Sequence, residues 1–331
     1  MKRIVAALVP LLLMCGCAPK SYKTDFFAMD TFMSVIVQGG QAEQTTQQCE
    51  RRIAELEQAL SRTREDSEIW QLNHAAGEAA AMPTAGGALL TAMEYARLTD
   101  GLYDPTVARL SDLWAIGTEN ARVPAQDEID EALQSVGVDK LTAEQGNTFA
   151  LRGGAQIDLG GIAKGIAADE CAAILRQRGN DGLLVLGGNI YAVGANEGED
   201  WVIGIADPEN SADYIATLGV QDQSVVTSGD YERFFEQDGR RYHHIFDPRT
   251  GYPAQSGLRS VTVIDADSTR ADALTTALFV MGLDKGMAFC VENEVAAVFV
   301  TSDKLVYTTP RVDEVCRFLL TGGEKGYTHA R

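Results

Sequence analysis

The 331-residue sequence predicts a mixed α/β protein folded as one compact unit. Segments with apolar residues at helical spacing alternate with short runs rich in β-branched and aromatic residues. Residues 201 to 264 read mostly as strands, which puts a substantial sheet in the second half. No obvious repeat or low-complexity linker divides the chain, whose length suits one large domain or two modest ones. With 45% hydrophobic and 23% charged residues, the composition is that of an ordinary globular protein.

The first element lies outside that unit. "MKRIVAALVPLLLMCGC" places two basic residues before an apolar run from Ile4 to Met14, the pattern of a secretory signal too short to span a bilayer stably. Gly16 before Cys17 resembles the end of a bacterial lipobox, in which the cysteine becomes the lipidated first residue. Two or more acyl chains, at about 0.8 kcal/mol per buried CH₂, anchor stably; plain secretion with cleavage nearby is the alternative. The expected organisation is a leader over 1–16, lipidated Cys17 and a tether over 17–24, one domain over 25–320, and a polar tail over 321–331. The expected location is the extracytoplasmic face of a bacterial membrane.

"DFFAMDTFMSVIVQG" alternates imperfectly and reads as a strand. From Ala42 to Leu60, Cys49, Ile53, Leu56 and Leu60 recur at helical spacing. "PTAGGALLTAMEYARLTDG" is a second helix stopped by Gly101, and "DEIDEALQSVG" a third stopped by Gly137. Ile162, Ile166, Ile174 and Leu175 mark a fourth, and "GLLVLGGNIYAVG" reads as two short strands around a turn. Five strands are expected next, in "WVIGIAD", "IATLGV", "SVVTSG", "RYHHIFD" and "LRSVTVID". "DSTRADALTTALFVMG" is a helix capped by Asp267 or Ser268, and "VAAVFVTSDKLVYTT" a closing hairpin.

The charge balance excludes one class of partner. With 47 acidic residues against 28 basic ones, the net charge is -19, and a polyanion loses its counterion-release drive on such a surface. Nucleic acid is therefore not expected, and an anionic substrate needs a local cation. Cys49, Cys171, Cys290 and Cys316 form no CxxC and have no histidine at metal spacing, so no zinc site is indicated; a disulfide and buried free thiols both stay open.

Four stretches carry possible chemistry. Asp272 and Thr276, four residues apart on one helix face, are two hard oxygen donors of the kind that suits Mg²⁺; a dipole-stabilising aspartate beside a buried threonine is the plain alternative. "IDLGGIAKGIAADE" pairs Asp158 with Gly160, Gly161 and Lys164 before a helix, which is a phosphate-holding loop or a tight turn with a solvated lysine. His243 and His244 occupy a strand and so point to opposite faces, which puts one toward a site and the other toward solvent; structural histidines are the plain alternative. Nearby Thr227 and Ser228 either position a phosphate or cap a turn. In "GLYDPTVARLSDLW", Tyr103 stacks on a ligand or fills the core, and Trp70 presents the same choice.

Taken in order, "AMDTFMSV", "LSRTREDSEIWQLN", "YDPTVARLSDLW", "IDLGGIAKGIAADE", "GLLVLGGNI", "TSGDYERFF", "YHHIFDPRTGYP" and "ADALTTALFVMG" resemble the ApbE family of FAD:protein FMN transferases, from about Phe26 to Tyr307. The resemblance implies a single compact ApbE-like, T-fold-like domain with a mixed, largely antiparallel sheet and flanking helices. It implies Mg²⁺ held by the Gly161 carbonyl, Asp272 and Thr276. It places flavin contacts at Met29, Leu102, Tyr103, Asp104, Asp158, Lys164 and Phe246, and equates His244 with the histidine of the family's HIIDP-like motif. Asp272 and His244 are the implied catalytic residues. The chain departs from the commoner pattern at Asp30, Ile166 and Thr275, none of them an implied metal ligand.

The implied reaction moves FMN from FAD to a Thr or Ser hydroxyl of a target protein and releases AMP. The implied acceptors carry a Ser/Thr-Gly-Ala-Thr-like segment, as exported subunits of membrane redox complexes do. This chain has no such segment, so its targets are expected to be other proteins. Two rival readings stand beside the transferase: a Mg²⁺-dependent FAD pyrophosphatase giving FMN and AMP, and a non-catalytic flavin-binding lipoprotein.

Overall fold

The computed structural model describes residues 21–330, so the leader and Cys17 lie outside the described residues. A nine-stranded sheet runs through the molecule in the order Ser21–Ala28, Thr31–Gln38, Asp181–Leu186, Asn189–Val193, Gln223–Gly229, Leu258–Asp265, Ala296–Thr301, Leu305–Thr308 and Thr328–Ala330. All its pairings are antiparallel except the last, which is parallel.

Side chains alternate across this sheet, and both faces are buried over its central strands. On one face Met33, Val35, Val37, Leu184 and Leu186 pack beneath the helices Ala42–Leu60 and Ala163–Gln177, which contribute Cys49, Ile53, Leu56, Ala167, Cys171 and Leu175. Each fully buried Leu or Ile there contributes roughly 1.5–3 kcal/mol. On the other face Val225, Ile264, Val298 and Val300 meet Ile203, Ile205, Ile215 and Leu218 of a second sheet, ordered Arg317–Leu320, Asn210–Val220, Trp201–Asp207. A mixed, largely antiparallel α/β domain with flanking helices is the observed architecture.

The helix Ser268–Met281 lies against the start of the Ala163 helix, and Gly165 makes the approach possible. A Cβ at Gly165 would stand 2.5 Å from the Ser268 carbonyl oxygen and 2.6 Å from the Thr269 Cα. Asp267 is the cap, its carboxylate accepting the Arg270 N–H at 2.8 Å. From the neighbouring helix, Asp169 accepts the backbone N–H groups of Ser268 and Thr269, both at 2.8 Å. Cys49, Cys171, Cys290 and Cys316 are all free thiols.

Four expectations change. "DFFAMDTFMSVIVQG" is a hairpin rather than one strand, because Met29 and Asp30 both take positive φ (48° and 58°) and reverse the chain in two residues. Residues 21–24, expected as tether, are already in its first strand. The expected polar tail is folded as well: Gly322–Lys325 forms a 3₁₀ turn, Tyr327 is buried, and Thr328–Ala330 pairs with Leu305–Thr308. The strand expected in "RYHHIFD" stops at His243.

Candidate active site

The start of the Ala163 helix and the helix carrying Asp272 meet through one backbone-to-carboxylate hydrogen bond. Gly165 is the third residue of its helix, so its N–H is one of the donors that a helix start leaves without an intrahelical partner. Here it donates to Asp272 Oδ2 at 2.9 Å. No hydrogen bond among the described residues then reaches the Gly161 carbonyl or the Thr276 hydroxyl, and Asp272 Oδ1 is also left without a donor. Gly161 lies beside that hydroxyl: a Cβ built on it would stand 3.6 Å from Thr276 Oγ1 and 2.9 Å from the Tyr103 ring. Asp272 is buried, as is Tyr103, whose hydroxyl has no hydrogen-bond partner. Burial, then the charges of Asp272 and Asp158, push the Tyr103 hydroxyl well above its ordinary range.

A carboxylate, a hydroxyl and a carbonyl with oxygens that accept no hydrogen bond are therefore gathered at this helix junction. This donor set fits a hard cation such as Mg²⁺, which takes few protein ligands and keeps water or substrate oxygens. Among the described residues no group of three or more His, Cys, Asp or Glu is arranged for a metal ion, and this pocket has only one such ligand.

The remaining sequence-selected residues divide between the cleft and the scaffold. Asp158 sits at its edge, its carboxylate 3.1 Å from Arg62 Nε and accepting the Gly160 N–H at 2.8 Å. Lys164 Nζ donates to the Gly160 carbonyl at 3.2 Å, one turn back. Met29 is at the hairpin tip, its N–H donating to Glu57 Oε1 at 3.0 Å. Leu102 is half-buried between two parts of the core.

Asp104 instead holds its own turn, accepting from the Thr106 N–H and hydroxyl on one oxygen and the Val138 N–H on the other. The Phe246 ring packs with Trp114 and Tyr242 inside an aromatic cluster. Trp70 is half-buried and stacks on His74 with ring centroids 3.9 Å apart. Thr227 bonds Thr262 and Ser228 bonds Thr275, so neither caps a turn.

The two histidines separate cleanly. His243 is buried; its Nε2–H donates to the Ala254 carbonyl at 2.9 Å and its Nδ1 accepts the Ile245 N–H, so both nitrogens are used structurally. His244 donates through Nδ1–H to the Arg233 carbonyl at 3.3 Å, a tautomer that leaves the Nε2 lone pair free. Desolvation within the cleft, foremost, lowers its pKa to about 4, so the ring is neutral at pH 7.

Sequence reasoning missed Arg62, Arg233, Glu57 and Glu232. Arg233 donates to the Asp30 carbonyl at 3.1 Å, tying the hairpin tip to the segment beneath His244. Glu232 lies against Gly188, where a Cβ would meet its carboxylate oxygen at 3.2 Å. Burial raises its pKa against the pull of Lys164 and Arg233. Only "SRTRE" and "GDYERFF" could have drawn attention to these residues, through arginines and a glutamate beside glycine turns.

An α/β sheet with flanking helices, carrying an oxygen-donor pocket where two helices meet, defines a structural class with solved members. The structure of the ApbE protein from Thermotoga maritima superposes with a TM-score of 0.85 at 35% identity, covering 90% of this chain and 100% of that one. The apo form of flavinyl transferase ApbE from Pseudomonas stutzeri gives 0.81 at 31% identity, over 91% of this chain and 98% of that one. The chain belongs to the ApbE family, whose sequence pattern matches residues 29–299. It is similar to the FAD:protein FMN transferase of Treponema pallidum, with 39% identity over 284 residues, 80% of this chain and 78% of that protein. The FAD:protein FMN transferase of Klebsiella pneumoniae is 37% identical over 272 residues, 78% of this chain and 83% of that protein.

Proposed function

We propose that this chain transfers the FMN moiety of FAD to a threonine or serine hydroxyl of another protein. The hydroxyl oxygen bonds to the FMN-side phosphorus, the bond from that phosphorus to the bridging oxygen breaks, and AMP leaves with that oxygen. Relatives bearing the name FAD:protein FMN transferase over most of their length support the reading. The observation that carries it is the hydrogen bond from the Gly165 N–H to Asp272, made where no hydrogen bond among the described residues reaches the Gly161 carbonyl or the Thr276 hydroxyl.

Most of the catalysis of such a transfer is positioning and charge neutralisation. Gly161, Asp272 and Thr276 would hold Mg²⁺, which when bound supplies positive charge against the pyrophosphate oxygens. Lys164 adds a point charge, Asp158 and the Met29 backbone orient the flavin end, and the Tyr103 ring closes the floor beside Gly161. The His244 Nε2 takes the proton from the attacking hydroxyl, its ring aligned by the Arg233 carbonyl. In the same proposal Cys17 anchors the protein to the outer face of a bacterial membrane, within reach of flavin-carrying redox subunits.

The test is mass spectrometry of an acceptor containing a Ser/Thr-Gly-Ala-Thr segment after incubation with this protein, FAD and Mg²⁺. FMN gained on the final threonine is the expected result, and its loss in Asp272→Ala the expected control. Rapid appearance of free FMN and AMP with an unmodified acceptor would replace the transferase with a pyrophosphatase.

A further inference from the structure

The hairpin that brings Met29 to the cleft also carries Phe27 and Phe32, which are 63% and 77% exposed. They face each other across the two strands as a cross-strand pair, ring centroids 5.7 Å apart in an edge-to-face arrangement. Two large aromatic rings on the outward face of an edge hairpin are costly to leave in water and form an aggregation hazard. The hairpin is also held firmly. Glu57 accepts the Met29 N–H at its tip, Arg233 donates to the Asp30 carbonyl, and Thr31 packs against Gly187. The Arg233 carbonyl in turn receives the His244 ring. Two hydrogen bonds therefore connect the hairpin tip to the side chain that faces the attacking hydroxyl.

We propose that Phe27 and Phe32 form the docking surface for the acceptor protein, engaging an apolar side chain close in sequence to the modified threonine. The inference rests on the flavin-transfer reading, which requires a polypeptide to cover this cleft during the reaction. The surface is linked to the residues assigned to transfer: the aromatic pair stands two residues from the tip, about 7 Å at strand rise, and the tip is hydrogen-bonded through Arg233 to His244. An extended acceptor with its hydroxyl in the cleft would place neighbouring residues two to five positions away over the rings. Exposed aromatics on a fixed frame are the usual anchors of protein recognition, because burying them costs little side-chain entropy. A net charge of -19 argues against an anionic lipid surface as the occupant.

The test compares the full chain with the double variant Phe27→Ser/Phe32→Ser, using a purified acceptor protein that carries the Ser/Thr-Gly-Ala-Thr segment. Acceptor KM should rise at least tenfold, while FAD affinity by flavin fluorescence and the melting temperature stay near wild type. The variant Phe27→Leu/Phe32→Leu, which keeps an apolar surface, should hold KM within about threefold of wild type, less than 1 kcal/mol. An unchanged KM in the serine variant overturns the proposal, and so does an equal defect in the leucine variant. Loss of binding to phosphatidylglycerol vesicles with an unchanged KM would assign the rings to a membrane instead and also overturn it. A wild-type protein that leaves the acceptor unmodified overturns the transfer reading itself, which the variants alone cannot do.

Discussion

At the scale of single residues, Gly165 and His244 each owe their role to one hydrogen bond. Gly165 has two functions at once: its missing side chain lets two helices touch, and its N–H fixes Asp272. Gly165→Ala adds one carbon against backbone that has no rotamer to give. Overpacking of this kind costs about 1–3 kcal/mol, and the Asp272 carboxylate moves with the helix that carries it. Urea melts should show a loss in that range, with acceptor flavinylation reduced at least tenfold at saturating FAD. For His244 the depressed pKa sets the sign of the pH response. A group that protonates only near pH 4 keeps its Nε2 lone pair above that point, so the acid limb of kcat/KM should fall near pH 4 rather than 6.5. His244→Asn should slow transfer by about 10²–10⁴-fold without weakening FAD binding. His243→Ala should instead lower stability by about 1–3 kcal/mol and leave the limb in place, because both of its ring nitrogens serve the scaffold.

At the scale of elements, local pattern located what is locally determined. The helix Ala42–Leu60 agrees with its apolar period to the residue, and Trp201–Asp207 with its alternation. Asp272 and Thr276 were legible as a pair because a helix fixes their relation, and Asp158 and Lys164 because a glycine turn precedes a helix. What was not legible depends on distant partners. The hairpin turn at Met29-Asp30 lacks a glycine or asparagine signal, and its positive φ values are held by Glu57 and Arg233. The C-terminal residues have no strand pattern of their own; Thr328–Ala330 becomes a strand only beside Leu305–Thr308. Tyr327 fastens that segment, buried among the second-sheet residues with its hydroxyl 2.7 Å from Asp207 Oδ1. Tyr327→Ala removes a ring and one of the donors to buried Asp207, which keeps the Glu209 N–H and Lys325, so a loss of about 3–5 kcal/mol is expected by chemical denaturation. Tyr327→Phe, which keeps the ring, should lose about 1–2 kcal/mol. If truncation after Leu320 left the melting temperature unchanged, the segment would be a tail after all.

For the whole molecule, the charge balance poses the binding problem that the cleft must solve. A chain of net charge -19 has to accept a dinucleotide whose pyrophosphate is itself anionic. The cleft offers few free cations: Arg62 is already engaged by Asp158 and by Asp112, which leaves Lys164 and Arg233. The donor set of Gly161, Asp272 and Thr276 adds another acidic group, so the proposed mechanism needs a divalent cation to offset the repulsion of its substrate. FAD affinity should therefore fall at least tenfold when Mg²⁺ is chelated. The loss should be larger at 20 mM salt than at 200 mM, where the Debye length shortens to under about 10 Å. Thermal stability gives an independent readout through linkage. At a hundred times its Kd, FAD with Mg²⁺ should stabilise the fold by about 2.7 kcal/mol, and FAD with a chelator by much less. In Asp272→Ala the Mg²⁺-dependent part should vanish while the metal-independent part persists or grows, because one negative charge has left the cleft. Equal FAD affinity with and without Mg²⁺ in the wild-type protein would mean that Lys164 and Arg233 meet the pyrophosphate unaided, and the cation would have no place in the cleft.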